Sequence, residues 1–250
     1  MPPLHLHNIQ YTQLDDMTWC AAAQVIAPDP LDPLGHSALF SHNRIATASL
    51  SAREIAQQQR QQQRAGVRLL LQSLLNKLEI SDTLDDCSFP YRLISSQYFV
   101  CFSHTGAHSK TIHSKSASTQ RKNKKLSDDL SNKVAVVISA HRPAGIDIET
   151  NLVEWQVAQR FYHTNEIAVL QTLSTVQRDT AAKLLWQIKE SFIKIHQYKL
   201  AQGLGMDYSY LIADLINGNS KKKPPLIVIK DIKSDYRIAL LLSQQIVIVY

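Results

Sequence analysis

The segments GIDIE, from Gly145 to Glu149, and LLWQIKESFIKIH, from Leu184 to His196, decide how this chain folds. In the first segment apolar and acidic residues alternate, which predicts a β-strand that carries Asp147 and Glu149 on one side. In the second segment apolar residues recur at steps of three and four, which predicts an amphipathic helix. This part of the chain is therefore expected to combine sheet and helix.

Further strands and the start of the helix can be placed around these two segments. Ser174 predicts the N-cap of the helix, with Gln177 completing a capping box, and we expect the helix to run to about Tyr198. Before GIDIE, the apolar run Val134–Ser139 predicts a strand that forms a hairpin with it. Three closing strands are predicted at Leu226–Ile232, Tyr236–Leu242 and Ile246–Tyr250.

The first half of the chain shows the same combination of strands and one long helix. Ser51 and Glu54 form a predicted capping box that opens a helix ending near Leu78. The aromatic and β-branched run Tyr98–Phe102 predicts a strand that ends in Ser103-His104. Strands that meander around a helix in each half predict an α+β fold with mainly antiparallel sheets.

Positive charge is concentrated between the two halves. The stretch 108–133 carries a net charge of +5 out of the formal +6 of the whole chain, and it contains almost no large apolar residues. Such a stretch predicts a flexible inserted loop, either solvated without a partner or in transient contact with an acidic one. The predicted organisation is an N-terminal half at 1–107, the basic loop at 108–133 and a C-terminal half at 134–250.

The composition excludes several classes of protein. Hydrophobic residues at 44% and charged residues at 19% exclude a fully disordered or collagen-like chain. The longest uncharged stretch, Ile238–Tyr250, is too short and polar for a membrane span, and no secretory signal is visible, so a cytoplasmic protein is expected. Three cysteines without a C-x-x-C pair argue against a disulfide framework or a thiolate zinc site.

Acidic residues in the two opening segments suggest a metal site. Because Asp147 and Glu149 share a small space, their charges repel unless a cation is present, and a divalent ion with oxygen ligands is a reasonable occupant. The alternative is an acidic strand edge that faces solvent. Glu190 and Lys194 lie one helical turn apart, and taken alone they would be an ordinary surface ion pair.

The combination of motifs is more specific than any of its parts. GIDIE is followed by W-x-x-K-E-S-x-x-K, from Trp186 to Lys194, and preceded by S-H-T-G, from Ser103 to Gly106. This pattern resembles the 4′-phosphopantetheinyl transferases of the surfactin-synthetase-activating type. The resemblance implies two similar α/β halves related by a pseudo-two-fold axis in a monomer. It also implies transfer of the phosphopantetheine arm of coenzyme A to a serine of an apo acyl or peptidyl carrier protein, with release of adenosine 3′,5′-bisphosphate.

The resemblance assigns the metal and the reacting groups to the second half. It implies that Asp147, Glu149 and Glu190 hold Mg²⁺ against the diphosphate of coenzyme A. Glu190, or a water that it orders, is the implied general base. Lys194 would stabilise the charge on the phosphate, and Lys189 could serve the same end.

The resemblance places the nucleotide near the end of the strand in the first half. Ser103 and His104 would contact the nucleotide end of coenzyme A, with His104 on the 3′-phosphate. Arg68 would supply further positive charge for the phosphates. One departure lies at Ser88-Phe89-Pro90, where family members commonly have Gly-Lys-Pro. Coenzyme A is then bound less tightly, or Phe89 contacts the base instead.

Two other classes of function are weaker interpretations. A nucleic-acid-binding protein or metal-dependent nuclease would use the basic loop, Lys221–Lys223 and the acidic cluster, but the basic residues are not spread over a face with aromatic residues. A partner-binding protein without catalytic activity is disfavoured because all three carboxylates and Lys194 remain. We therefore expect no nucleic-acid or membrane partner.

Overall fold

The computed structural model describes residues 4–26, 51–105, 132–217 and 224–250. These residues form two antiparallel sheets stacked face to face, with helices on both outer sides. The α+β prediction is confirmed, whereas the pseudo-two-fold relation between the halves stays a prediction. In these ranges no helix is both long and apolar enough to span a membrane.

The first sheet has six strands and is covered by one long helix. Its strands lie in the order β1-β2-β6-β5-β4-β3, and helix α1 packs on its outer face. The elements are β1 (His5–Asp15), β2 (Thr18–Ile26), α1 (Ala52–Lys77), β3 (Leu84–Asp85), β4 (Tyr91–Leu93), β5 (Phe99–Thr105) and β6 (Asn132–Ser139).

The second sheet has four strands in the order β7-β10-β9-β8, with a layer of helices on its outer face. Its strands are β7 (Gly145–Ile148), β8 (Ile227–Lys230), β9 (Arg237–Leu241) and β10 (Ile246–Val249). The helices are α2 (Trp155–Phe161), α3 (Thr164–Gln171), α4 (Thr175–His196), α5 (Leu200–Leu204) and α6 (Ile212–Asn217), the last preceded by a 3₁₀ turn at Ser209–Leu211. The three predicted closing strands are thus present, each one to three residues shorter than predicted.

Helix α1 follows its sequence pattern closely. The hydroxyl of Ser51 accepts a hydrogen bond from the backbone of Glu54, and the Glu54 carboxylate accepts one from the backbone of Ser51. The predicted capping box is confirmed. The helix ends one residue before Leu78, and its buried residues, among them Leu70 and Leu74, pack on the outer face of the first sheet.

Helix α4 agrees with the prediction except at its ends. Ser174 is the N-cap, but its hydroxyl donates to the side-chain oxygen of Gln177 at 2.8 Å and caps no backbone group. The predicted capping box is therefore wrong. The helix ends at His196, two residues before Tyr198, because Gln197 adopts a left-handed conformation with φ of 57°. Its apolar stripe packs on the second sheet as predicted.

The two sheets meet through small residues on one side and large ones on the other. The first sheet contributes Cys20, Ala22, Cys101 and Ala135 to this layer, and the second contributes Ile146, Ile148, Ile246 and Ile248. Because side chains alternate along a strand, burying Ile146 and Ile148 between the sheets turns Asp147 toward helix α4. The inter-sheet core thus fixes which way the acidic residues of β7 face.

The predicted hairpin between Val134–Ser139 and Gly145–Glu149 is wrong. Strand β6 pairs with β2 and β5 in the first sheet, whereas β7 pairs with β10 in the second. All residues from Val134 to Ser139 are buried, so this strand needs cover on both faces and takes a central place in the larger sheet. The chain passes from one sheet to the other after residue 139.

The predicted basic loop 108–133 lies almost entirely outside the described residues. Only Asn132 and Lys133 are described, and both belong to β6. Gly106 of the S-H-T-G motif and Lys221–Lys223 also lie outside these residues.

A glycine allows helix α4 to approach β7 closely, and this contact predicts a strong effect of substitution. A Cβ atom on Gly145 would lie 2.1 Å from the backbone oxygen of Ser191, which has no freedom to move aside. We expect Gly145→Ala to lower the free energy of unfolding by about 3 kcal/mol, the upper end of the usual cost of overpacking. Urea denaturation measures it.

Gly205→Ala is the matched control, because the nearest atom to its Cβ would be the backbone oxygen of Ala201, at 3.2 Å. An equal loss of stability in both variants would contradict the importance of the backbone contact.

Candidate active site

The close contact of α4 with β7 brings residues from three elements together. Ser103 comes from β5, Asp147 from β7 and Lys194 from the C-terminal part of α4. Gln187, one of the buried residues of α4, donates from its amide to the carbonyls of Asp147 at 3.3 Å and Gln245 at 2.8 Å. These bonds tie the helix to the strand beside the acidic cluster.

Lys194 is the centre of this arrangement. Its ammonium donates to the carbonyl of Ile146 at 2.7 Å, to Oδ1 of Asp147 at 3.0 Å and to the hydroxyl of Ser103 at 3.3 Å. Burial is the largest single influence and would lower the pKa of Lys194, but the charge and hydrogen bond of Asp147 together with the charges of Cys101 and Glu190 outweigh it, so the pKa is raised. Since the side chain is still 24% exposed, a positive charge is held at the edge of the site, within reach of an anionic ligand.

Ser103 connects the two sheets at the same point. Its hydroxyl donates to Oδ1 of Asp147 at 3.2 Å and accepts from the backbone of Ile148 at 3.1 Å. Ser103 is itself buried, so its hydroxyl orients Asp147. The structure thus brings together Ser103, Asp147 and Lys194, which the sequence placed in one site.

Glu190 lies beside this group, one helical turn before Lys194. Its pKa is raised, first by burial and then by the negative charges of Asp147 and Glu149, while the positive charge of Lys194 acts in the opposite direction. Three carboxylates therefore act on one another, and one lysine does not compensate for all of them. A carboxylate with a raised pKa is a better proton acceptor than an ordinary glutamate.

One carboxylate oxygen of Glu149 is bonded within its own turn. Its Oε1 accepts from the backbone of Asn151 at 2.8 Å and from the Asn151 amide at 3.3 Å. Its charge also acts on Lys183, whose pKa is lowered by burial and by Lys133 and raised by Glu149. Glu149 thus contributes charge to the cluster while it is held by its own turn.

The carboxylates fit a divalent cation in their chemistry. The described ranges contain no set of three His, Cys, Asp or Glu side chains arranged to hold a metal ion. However, one oxygen of Asp147, one of Glu149 and both of Glu190 make no hydrogen bond within these ranges. Such free carboxylate oxygens are the ligands that Mg²⁺ prefers, and a cation would relieve their repulsion.

His104 follows Ser103 on β5 and therefore points to the other face of that strand. Its pKa is lowered, first by burial and then by the positive charges of Lys194 and Arg64. His104 thus lies near two cations in a region suited to an anion. Sequence reasoning did not select Arg64, although it lies one helical turn before Arg68 on the same side of α1.

Arg68 is not brought into this group. Its guanidinium forms an ion pair with Asp86 and donates to the carbonyl of Arg64 at 3.2 Å. Both side chains of the ion pair are exposed, so it adds little stability. A phosphate would have to displace Asp86 before it could bind Arg68.

Lys189 is also not brought to the site, contrary to the prediction that it could bind phosphate. Its side chain is fully buried and forms an ion pair with Glu166 at 2.9 Å. It also donates to the carbonyls of Leu204, at 2.7 Å, and Met206. Because adjacent helical residues point in directions about 100° apart, Lys189 faces α3 and α5 while Glu190 faces β7.

Phe89 lies near the C-terminal end of helix α4. Its carbonyl accepts a hydrogen bond from the amide of Gln197 at 3.0 Å, and its ring makes an edge contact with Tyr91 at 5.2 Å between centroids. The loop that carries Phe89 is thus attached to the helix that carries Glu190 and Lys194. The contact of Phe89 with a base stays a prediction.

Comparison with known proteins agrees with this geometry. Residues 143–244, which include β7, α4, β8 and β9 but not β10, match a family model of group-transferring enzymes. That model describes the 4′-phosphopantetheinyl transferase superfamily, to which this part of the chain is similar. A search of curated proteins gave no significant match. The resemblance seen in the sequence is confirmed for the superfamily, and the surfactin-synthetase-activating type stays a prediction.

The burial of Lys189 predicts that it stabilises the fold. Removing one partner of a buried ion pair leaves the other charge without compensation, so Lys189→Met should lower the free energy of unfolding by about 3–5 kcal/mol. Urea denaturation measures this loss. Lys183→Met, on the same helix and only partly buried, is the control. A Lys189→Met protein of normal stability that bound coenzyme A more weakly would show instead that Lys189 contacts phosphate.

The repulsion around Glu190 predicts that this residue destabilises the folded chain. Because its folded pKa lies above the ordinary 4.5, the folded chain binds more protons than the unfolded chain between the two values, and stability falls as the pH rises through this range. Without divalent ions at neutral pH, Glu190→Gln should therefore raise the melting temperature.

Calorimetry at several pH values tests this sign, and the gain should shrink as the pH falls toward 4.5, where Glu190 itself is neutralised. Glu154→Gln is the control, because Glu154 is exposed and its side chain caps nothing. A lower melting temperature for Glu190→Gln at neutral pH would contradict the repulsion.

Proposed function

We propose that this chain transfers the 4′-phosphopantetheine arm of coenzyme A to a serine of an apo acyl or peptidyl carrier protein. The superfamily match supports phosphopantetheine transfer in general. The observation that carries the proposal is the position of Lys194, which contacts Ser103 and Asp147 together while Glu190 lies one turn away. These are the residues that the motif pattern assigns to the reaction.

The chemistry of the transfer suits these groups. The serine hydroxyl of the carrier attacks the β-phosphorus of coenzyme A, a new O–P bond forms, and the bond to the bridging oxygen breaks. Adenosine 3′,5′-bisphosphate leaves with the electron pair of that bond. The proton of the serine passes to Glu190, directly or through a water.

The cations would hold and polarise the phosphates. Lys194, with its raised pKa, stays charged and stabilises the negative charge that develops on the transferred phosphoryl group. His104, with Arg64 nearby, would bind the 3′-phosphate end of the nucleotide. A phosphate there would raise the pKa of His104 and so favour its charged form.

Mg²⁺ is part of the proposal and would bind through Asp147, Glu190 and Glu149. When bound, it would neutralise charge on the diphosphate as the nucleotide leaves. Oδ1 of Asp147 is already held by Ser103 and Lys194, which leaves its second oxygen for a metal. We also propose that the protein acts as a monomer in the cytoplasm.

The alternative functions lack support of this kind. The superfamily match gives no support to a nucleic-acid-binding protein or a nuclease. Both basic stretches that suggested such a function, 108–131 and Lys221–Lys223, lie outside the described residues. A role of the basic loop in attracting an acidic carrier stays a prediction.

Mass spectrometry of the carrier tests the proposal. The purified chain is incubated with coenzyme A, Mg²⁺ and either an apo acyl carrier protein or an apo peptidyl carrier protein. We expect at least one carrier to gain the mass of one phosphopantetheinyl group, with EDTA abolishing the gain and excess Mg²⁺ restoring it. No mass gain on either carrier would contradict the proposal.

Variants connect this activity to the site. Glu190→Gln and Lys194→Met should slow the transfer about 100-fold or more, the usual effect of removing a general base or a charge-stabilising group. Glu154→Gln and Lys199→Gln, which remove charges outside the site, should keep the rate of the unchanged protein. Equal rates for all four variants would show that the cluster does not carry the reaction.

A further inference from the structure

A cavity lies between the two sheets, separate from the carboxylate cluster of the candidate active site. It measures about 440 Å³ and is lined by residues of both sheets and of the connection from β6 to β7. Thr18 and Ser139, which pair across β2 and β6, line it from the first sheet. Arg237 and Tyr250, joined by backbone hydrogen bonds of 2.8 and 2.9 Å, line it from the second.

This cavity differs in position from the candidate active site. Tyr250 belongs to the core between the sheets, whereas Asp147 faces helix α4 on the other side of the second sheet. Along β10, Tyr250 lies three residues beyond Val247, the partner of Asp147, which corresponds to about 10 Å. A ligand in the cavity would therefore contact different residues from one in the active site.

The cavity carries a small excess of positive charge, because three cationic side chains line it against two carboxylates. Arg142, Lys230 and Arg237 line it, and within the described part of the chain none of them has a carboxylate oxygen within 4.0 Å. Arg142 is held in place, since it donates to the carbonyl of Asp235 and lies 4.3 Å from the ring centre of Tyr236. Three cations around one cavity repel one another, and an anion would relieve that repulsion.

Two aspartates also line the cavity and offset part of this charge, although within the described residues neither forms an ion pair with the three cations. Asp15 accepts a hydrogen bond at 3.0 Å from the backbone of Met17, and Asp235 contacts Arg142 through its carbonyl rather than its carboxylate. Both carboxylates can accept hydrogen bonds from hydroxyl or amino groups of a ligand whose anionic group binds the cations. His141 also lines the cavity.

The hydroxyl of Tyr250 points to a missing partner. Tyr250 is only 4% exposed, and its buried hydroxyl makes no well-formed hydrogen bond within the described residues, although the Arg237 guanidinium lies beside it. A buried unpaired hydroxyl costs free energy, so native proteins rarely leave one without a protein, water or ligand partner. Thr18 and Ser139 are almost fully buried and add two further hydroxyls on the opposite side.

We propose that this cavity binds a phosphate group, alone or on a small organic molecule. Arginine guanidinium groups offer paired donors that match phosphate oxygens, and the three hydroxyls can donate to the remaining oxygens. The volume exceeds what one phosphate needs, so the rest of a phosphorylated small molecule fits, with Asp15 and Asp235 accepting from its hydroxyl or amino groups. A ligand bound here would connect the first sheet to the second.

Nuclear magnetic resonance with inorganic phosphate tests the proposal at the level of single residues. The ¹⁵N-labelled chain is titrated with phosphate at constant ionic strength, with chloride as the balancing anion. We expect saturable shifts of the backbone amides of Thr18, Ser139 and Arg237. Shifts at Ser103 and Lys194 would report separate binding at the candidate active site.

Variants distinguish a built site from general attraction of anions. Arg237→Gln and Tyr250→Phe should each weaken phosphate binding at the cavity about ten-fold or more, because each removes a donor while Tyr250→Phe keeps the buried ring. Lys77→Gln, which removes an exposed charge at the far end of α1, should leave the affinity unchanged. Absence of saturable shifts at the cavity, or equal weakening by Lys77→Gln, would overturn the proposal.

Discussion

The structure depends on the close approach of helix α4 to strand β7, where Gly145 leaves room for the backbone of Ser191. Because of this approach the Lys194 side chain reaches the carbonyl of Ile146 and the carboxylate of Asp147. Neither the strand nor the helix alone would hold these groups together. The same contact holds Glu190 near the carboxylates of Asp147 and Glu149. The repulsion among the acidic residues of the site is therefore a consequence of how closely the two backbones pack.

The sequence predicted the parts of the fold that depend on local pattern. The capping box at Ser51 and the apolar stripe of α4 were sufficient to place both long helices, and alternation in GIDIE turned Asp147 away from the core. Pairing of strands depends on the whole sheet, and there the prediction failed. Strand β6 is apolar on both faces, which suits the middle of the larger sheet, and nothing in its neighbourhood along the chain reveals β2 as a partner.

The positions of the site residues were likewise predicted where they depend on local pattern and not where they depend on contacts that are distant in sequence. Asp147, Lys194 and Ser103 come together as the motifs suggested, whereas Lys189 and Arg68 find acidic partners elsewhere. The partner of Lys189 is Glu166, on another helix, and no spacing rule indicates a contact over that distance in sequence. Adjacent positions of α4 therefore differ in their electrostatic surroundings. The charge of Lys189 is compensated by Glu166 and stabilises the fold, whereas Glu190 lies near the like charges of Asp147 and Glu149.

The small residues between the sheets have a practical consequence for chemical modification. Cys20 and Cys101 lie in this layer, and burial raises the pKa of the Cys20 thiol to about 12, so neither side chain is open to alkylating reagents in the folded chain. Cys87, two residues before Phe89, is exposed. A fluorescent dye would therefore attach at a single position, on the loop that Gln197 joins to the end of α4, without any cysteine having to be removed first.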